Sequence, residues 1–352
     1  MRFIQKFLLG YFIGTLGLFG QMSSWEVVEA MGRGINLGNT LSAPVEGNWA
    51  PQVYEQYFVD LANEGFSNVR IPADFFGYRT SGDTSNWSSS SNSSNQYNGS
   101  IADFTVNTTY LDRVETIVDW SLNQGLYTVI DFHGADLKAE FLETFSSSNA
   151  NYTSPTSAKR AADLMKFKSI WIQIANRFIN HSSTLLFEVV NEPYFEVSAA
   201  EMNALNTMII EAIRSTGGNN STRKIIITGG TSTSYQAPTA ISSQVIQSDS
   251  NLIASFHYYI PFSFTASSRD TYSDFNWGTN ADKSTVDAHF DSVRQWSETN
   301  DIPITLGEFG ADNEAGLSYE TGIYGSYGGP LNSSRVEYHR YCLLYTSDAA
   351  DD

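Results

Sequence analysis

Seven short apolar runs, separated by stretches of helical periodicity, constrain this chain more than any other feature. They fall at Gly34–Leu37, Ser67–Ile71, Tyr127–Phe132, Leu185–Val190, Lys224–Thr228, Leu252–Tyr259 and Ile302–Leu306. Rich in Val, Ile and Phe and bounded by Gly, Pro or Asn, they read as strands buried on both faces. Between them, Tyr54, Phe58, Leu61 and Ala62 share one helical face ahead of Gly65, and Leu111, Val114, Ile117, Val118 and Leu122 do so ahead of Gly125. Met202, Leu205, Ile209 and Ile213 make a third stripe, and Val286, Phe290, Val293 and Trp296 a fourth. Repeated strand–helix units give a parallel sheet, doubly wound or closed as a barrel. The strand ends decide between them. Asn39, Arg70, His133, Asn191 with Glu192, His257 with Tyr259, and Glu308 are polar residues at six different strand ends. A doubly wound sheet gathers ligands at one switch point, whereas a barrel delivers every strand end to one mouth. The predicted fold is therefore α/β, a (β/α)8 TIM barrel.

The two ends of the chain carry separate expectations. Arg2 and Lys6 precede an apolar run from Phe7 to Phe19, the pattern of a secretory signal peptide, assigned to residues 1–22. That run is short for a bilayer span, so no membrane association is expected after cleavage and the protein is expected to be extracellular. At the other end only seven strands are counted. Val336, His339 and Leu343 predict a last helix, and residues 344–352 read as a non-native tail, so the barrel of residues 25–343 is expected to be truncated before its eighth strand. A completed barrel is expected to be a monomer. The Ser- and Asn-rich stretch Thr80–Ser100 is expected to be a solvated loop insertion on the catalytic face.

Charge and cysteine content remove several functions. A formal net charge of −18 opposes nucleic-acid binding, which needs a basic surface to displace counterions. Cys342 is the only cysteine, so no intrachain disulfide can form and no zinc or iron–sulfur ligand set is available. No metal and no organic cofactor is implied.

Two glutamates are the candidates for chemistry. Breaking a glycosidic bond needs a proton for the leaving oxygen and electron density for the cationic sugar carbon, which two carboxyl groups supply from opposite sides. Glu192 follows a buried strand in Val190-Asn191-Glu192-Pro193, where Pro193 forces the preceding residue out of helical geometry. Glu308 follows another in Leu306-Gly307-Glu308-Phe309-Gly310, with glycines leaving room on both sides. Either alone is as compatible with an ion pair or a helix cap. Arg70 is placed to favour an ionised Glu308, to brace the barrel mouth, or both. His257 and Tyr259, two apart on one strand, share a face.

The set Gly34-Ile35-Asn36-Leu37-Gly38-Asn39, Asn68-Val69-Arg70-Ile71-Pro72, Asp131-Phe132-His133, Asn191-Glu192-Pro193, His257-Tyr258-Tyr259 and Gly307-Glu308-Phe309-Gly310 resembles glycoside hydrolase family 5, in the order and on the strands of its endoglucanase-like members. The resemblance runs from about Gly32 to about Tyr341. It implies a retaining endo-β-1,4-glucanase acting on β-glucan, with Glu192 as general acid/base and Glu308 as nucleophile. It further implies that His133 and Asn191 bind sugar where the bond is cut, that Tyr259 donates to Glu308, and that His257 lies near Glu192. Trp277 is the first choice for a sugar-stacking platform and Trp49 the second, with core or lid roles standing equally beside this. Two positions depart from the pattern. Gly134 stands where relatives often have a second His, and Ser42 where they often have Glu. A mannanase, a xyloglucanase and a silent glycan-binding barrel therefore stay open.

Overall fold

The computed structural model describes residues 21–90, 97–193, 195–267, 274–312 and 332–347. All but the last two residues of the expected leader lie outside them, as does the end of the expected tail from Asp348. The strands are β1 (Gly34–Asn36), β2 (Asn68–Ala73), β3 (Tyr127–Phe132), β4 (Leu185–Glu188), β5 (Ile225–Ile227), β6 (Leu252–Tyr258) and β7 (Ile304–Phe309). They form one sheet in chain order, with every neighbouring pair parallel. Each overlaps one predicted run. Helices α1 (Ser24–Met31), α2 (Glu55–Asn63), α3 (Thr108–Asn123), α4 (Ala135–Phe145), α5 (Ala158–Arg177), α6 (Ala199–Ser215), α7 (Ser243–Ser248), α8 (Phe262–Thr265), α9 (Asn280–Asn300) and α10 (Asn332–Ser347) complete the chain. The sheet curls into a nearly closed barrel of the TIM type. The αβ turns use the glycines as expected: Gly65 and Gly125 hold φ of 79° and 76°, which costs a residue without Cβ nothing.

The barrel is layered along its axis. Val129, Leu186, Ile226 and Ile253, from four adjacent strands, pack on Val27 and Met31 of α1, which closes the N-terminal end. A capping box between Ser23 and Glu26 starts that short helix. Because side chains alternate along a strand, the same face two residues on carries Asp131, Glu188 and Ser255, and two further on His133 and His257. The floor is thus apolar, the middle ionic and the mouth reactive. Outside the sheet, Phe132, Phe167, Trp171, Phe178 and Phe187 are fully buried between strands and helices.

Two expectations need correction, the inward stripe of the last helix and the character of Thr80–Ser100. The last helix begins as predicted but runs to Ser347, past the point where the tail was placed. Its inward face is Ser334, Tyr338 and Cys342, whereas Val336 is 57% exposed; small and polar residues hid the true stripe. Thr80–Ser100 is not simply a solvated insertion in its described part. Thr80–Ser81 pairs with Thr105–Val106, and the carbonyls of Ser88 and Ser89 accept from the Lys159 and Ser154 amides at 3.0 Å. No strand ladder joins β1 to β7 among the described residues; Asn36 Nδ2 instead donates across to the Gly307 carbonyl at 2.9 Å.

Candidate active site

Arg70 is the hub on which the mouth is built. It leaves β2 inside the barrel and is 4% exposed. Its Nε and Nη2 donate to the two Glu188 oxygens at 2.7 and 3.0 Å, and Nη2 also meets Asp131 Oδ2 at 2.8 Å. Nη1 donates to Glu308 Oε1 at 2.6 Å and to Asn36 Oδ1 at 3.0 Å, while Nη2 reaches Asn191 Oδ1 at 2.9 Å. A planar fork with five N–H groups satisfies this set; an ammonium would not. The Asn191 side chain is thereby engaged in fixing the strand end, and the Asn191 backbone N–H donates to the Phe132 carbonyl at 3.0 Å.

Glu308 is brought in by a local irregularity. Phe256 pairs with Leu306, but His257 pairs with Glu308, so Gly307 is the extra residue of a bulge. A Cβ on Gly307 would sit 2.8 Å from His257 Nε2 and 2.9 Å from Ser255 Oγ, which explains the glycine. Glu308 Oε2 accepts from the Tyr259 hydroxyl at 3.0 Å and lies 3.6 Å from His257 Nδ1, while Oε1 lies 3.7 Å from His133 Nδ1. Burial pushes this carboxyl upward, but His257, Arg70 and His133 outweigh it and hold Glu308 well below the usual carboxylate range. Burial, joined by the negative charges of Glu308 and Glu192, drives the Tyr259 phenol far upward, so it stays a donor.

Glu192 stands on the other side of the opening, 22% exposed at its side chain, with Oε1 2.9 Å from His257 Nδ1. A Glu192 oxygen, a Glu308 oxygen and a His257 ring nitrogen all lie within 4.8 Å of one another. Burial lowers the His257 imidazole, yet Glu308 and Glu192 together raise it above its ordinary value. His133 Nδ1 lies 2.9 Å from Asp131 Oδ2; burial lowers its imidazole too, and Asp131 and Glu308 reverse this.

The structure therefore brings together Arg70, His133, Asn191, Glu192, His257, Tyr259 and Glu308. One other residue departs from the expectation. Trp277 is 6% exposed and packs edge-on against Tyr338 at 5.2 Å in an apolar cluster, so it is core and not an open platform. Asn39 holds φ 60°, a conformation asparagine tolerates, and Asn36, three residues earlier, accepts from Arg70. Trp49 is 42% exposed in the loop after β1. Sequence reasoning missed Glu188 and assigned no role to Asp131. The signal was available, since an acid inside an otherwise apolar buried strand must have a buried partner.

With this geometry in hand, the chain can be set beside known proteins. Residues 28–334 match the sequence model of Cellulase (glycosyl hydrolase family 5). The chain belongs to glycosyl hydrolase family 5. It is 38% identical over 286 residues to Endoglucanase H of Acetivibrio thermocellus, an alignment covering 81% of this chain and 26% of that protein. It is 28% identical to Endoglucanase B of Clostridium cellulovorans, covering 84% and 62%. The tri-modular GH5 (subfamily 4) endo-β-1,4-glucanase from Bacillus licheniformis superposes with a TM-score of 0.69 at 28% identity, covering 92% of this chain and 54% of that one. The chain thus spans between about a quarter and about three-fifths of these relatives. Two carboxylates, Glu192 and Glu308, stand at the mouth of this family 5 barrel.

Proposed function

We propose that this chain is a secreted endo-β-1,4-glucanase that cleaves β-glucan with retention of configuration, by double displacement. The observation that carries the reading is the approach of Glu192 and Glu308 to within 4.8 Å, with only one of them locked in an ionic cage. Retaining sites place their carboxyl groups about 5–5.5 Å apart, whereas inverting sites leave about 6.5–9.5 Å for a water. Glu308, held ionised by Arg70 and His257 and oriented by Tyr259, attacks the anomeric carbon. Glu192 gives its proton to the leaving oxygen, then takes one from the water that releases the glycosyl-enzyme. His257 bridges the two and keeps their charges in register. The endoglucanase names of the relatives support the glucan; the positive Arg2 and Lys6 ahead of an apolar run support export.

The test is hydrolysis by the purified chain of carboxymethylcellulose, galactomannan and xyloglucan, read by reducing ends and viscosity. Fast loss of viscosity on the cellulose derivative is expected. A preference for galactomannan or xyloglucan would transfer the same chemistry to another polymer, and inactivity on all three with the fold intact would leave a glycan-binding barrel.

A further inference from the structure

We propose that Asp74 is a positioning residue for this site, acting through the N-terminus of α4 to hold His133 against Asp131 and Glu308. This rests on the function proposed above. Asp74 is the first residue after β2 and is 1% exposed. Its Oδ1 accepts from the Phe76 amide at 3.0 Å, and its Oδ2 from the amides of Asp136 at 2.8 Å and Leu137 at 3.4 Å. Helix α4 has Gly134 at its N-cap position and receives no cap from that residue. A carboxylate from a different βα loop therefore satisfies its first orphan amides and faces the positive end of its dipole.

Gly134 makes the arrangement possible. Its φ of 161° is ordinary extended backbone, so conformation does not demand glycine. Space does: a Cβ there would fall inside contact distance of Asp74 Oδ2, Cβ and Cγ. Gly134 is thus one half of a pair, in which the Asp74 carboxylate occupies the room that a side chain would take. His133 immediately precedes Gly134. Its amide donates to the Ala73 carbonyl at 2.9 Å, and its ring is aimed at Asp131 and Glu308. Residues 73–74 consequently grip the 133–137 backbone on both sides of the imidazole. Arg79 braces the carboxylate from the far side, 3.9 Å from Asp74 and 3.5 Å from Asp136, while its Nη2 donates to the Ala43 and Pro44 carbonyls. The carboxylate thus ties the loops after β2 and β3, and Arg79 links the loop after β1 to them.

The experiment is a double-mutant cycle on the full chain with Asp74→Ala and His133→Ala, joined to an NMR titration of the His133 ring. If Asp74 works through His133, Asp74→Ala lowers kcat/KM about tenfold in the parent and changes it less than about twofold once His133 is gone. In folded Asp74→Ala the His133 pKa falls, because the ring loses its fixed place beside Asp131. Effects that multiply across the cycle would overturn the proposal. So would an unchanged His133 titration, which reads out even if the chain hydrolyses no glucan and the proposed function itself fails. Should Asp74→Ala not fold, Asp74→Asn serves, since its single amide oxygen cannot accept both from Phe76 and from the α4 amides, so one of the two ties is lost.

Discussion

At the scale of single residues, the site is a division of labour imposed on two similar glutamates by their neighbours. Glu308 faces Arg70, Tyr259 and two imidazoles; Glu192 faces one imidazole and the opening. The linked pH behaviour follows from the directions of the shifts. Glu308 is depressed from 4.5, so its contribution to stability is present above that value and fades as pH falls toward the folded one. His257 is raised from 6.5, so its contribution is full below that value and fades as pH rises through the folded one. In Glu308→Gln the His257 titration is expected to move down, since the largest charge raising it is gone; an NMR titration that stays put would break the proposed coupling. Arg70→Ala is expected to cost about 3–5 kcal/mol in denaturant unfolding, because it strips the buried Glu188 carboxylate of its paired cation and leaves Asp131 only the His133 imidazole. A cost below about 1 kcal/mol would mean that Arg70 serves only the reaction.

At the scale of elements, the strands were legible because a buried parallel strand is a continuous apolar run, and all seven such runs are strands. The carboxylates were legible because each ends such a run. Less legible was whatever depends on cross-strand register. Nothing local in Gly-Glu-Phe-Gly announces that Gly307 is a bulge, yet the bulge puts His257 opposite Glu308. Gly307→Ala is therefore expected to push the His257 ring aside and cut kcat at least about tenfold while the melting transition moves little; full activity would show that the ring has room. Trp277 misled because a loop tryptophan beside glycine looks the same from sequence whether it faces sugar or, as here, Tyr338. The closing helix α1 makes a separate prediction. Met31→Ala removes the buried contact with the barrel floor and is expected to cost about 2–4 kcal/mol without changing kcat.

At the scale of the whole molecule, the seam between β1 and β7, where no ladder forms among the described residues, is the feature to probe. β7 is only partly buried along its whole length, whereas β4, β5 and β6 are buried throughout. Unpaired strand edges recruit other chains, so the 352-residue chain is expected to show concentration-dependent assemblies by size exclusion with light scattering; a monomer at every concentration with one cooperative melt would contradict this. The seam lies away from Glu192 but beside Glu308, so the reaction itself reports whether the mouth is assembled. The most direct test of the account uses an aryl β-cellobioside with a good leaving group, the Glu192→Ala and Glu308→Ala variants, and sodium azide. Glu192→Ala still forms the glycosyl-enzyme, and azide opens it to the β-glycosyl azide; Glu308→Ala cannot form it, and azide attacks directly to give the α-glycosyl azide. Opposite anomers from the two variants are the predicted result. The same anomer from both, or the two assignments exchanged, would contradict the roles given to Glu192 and Glu308.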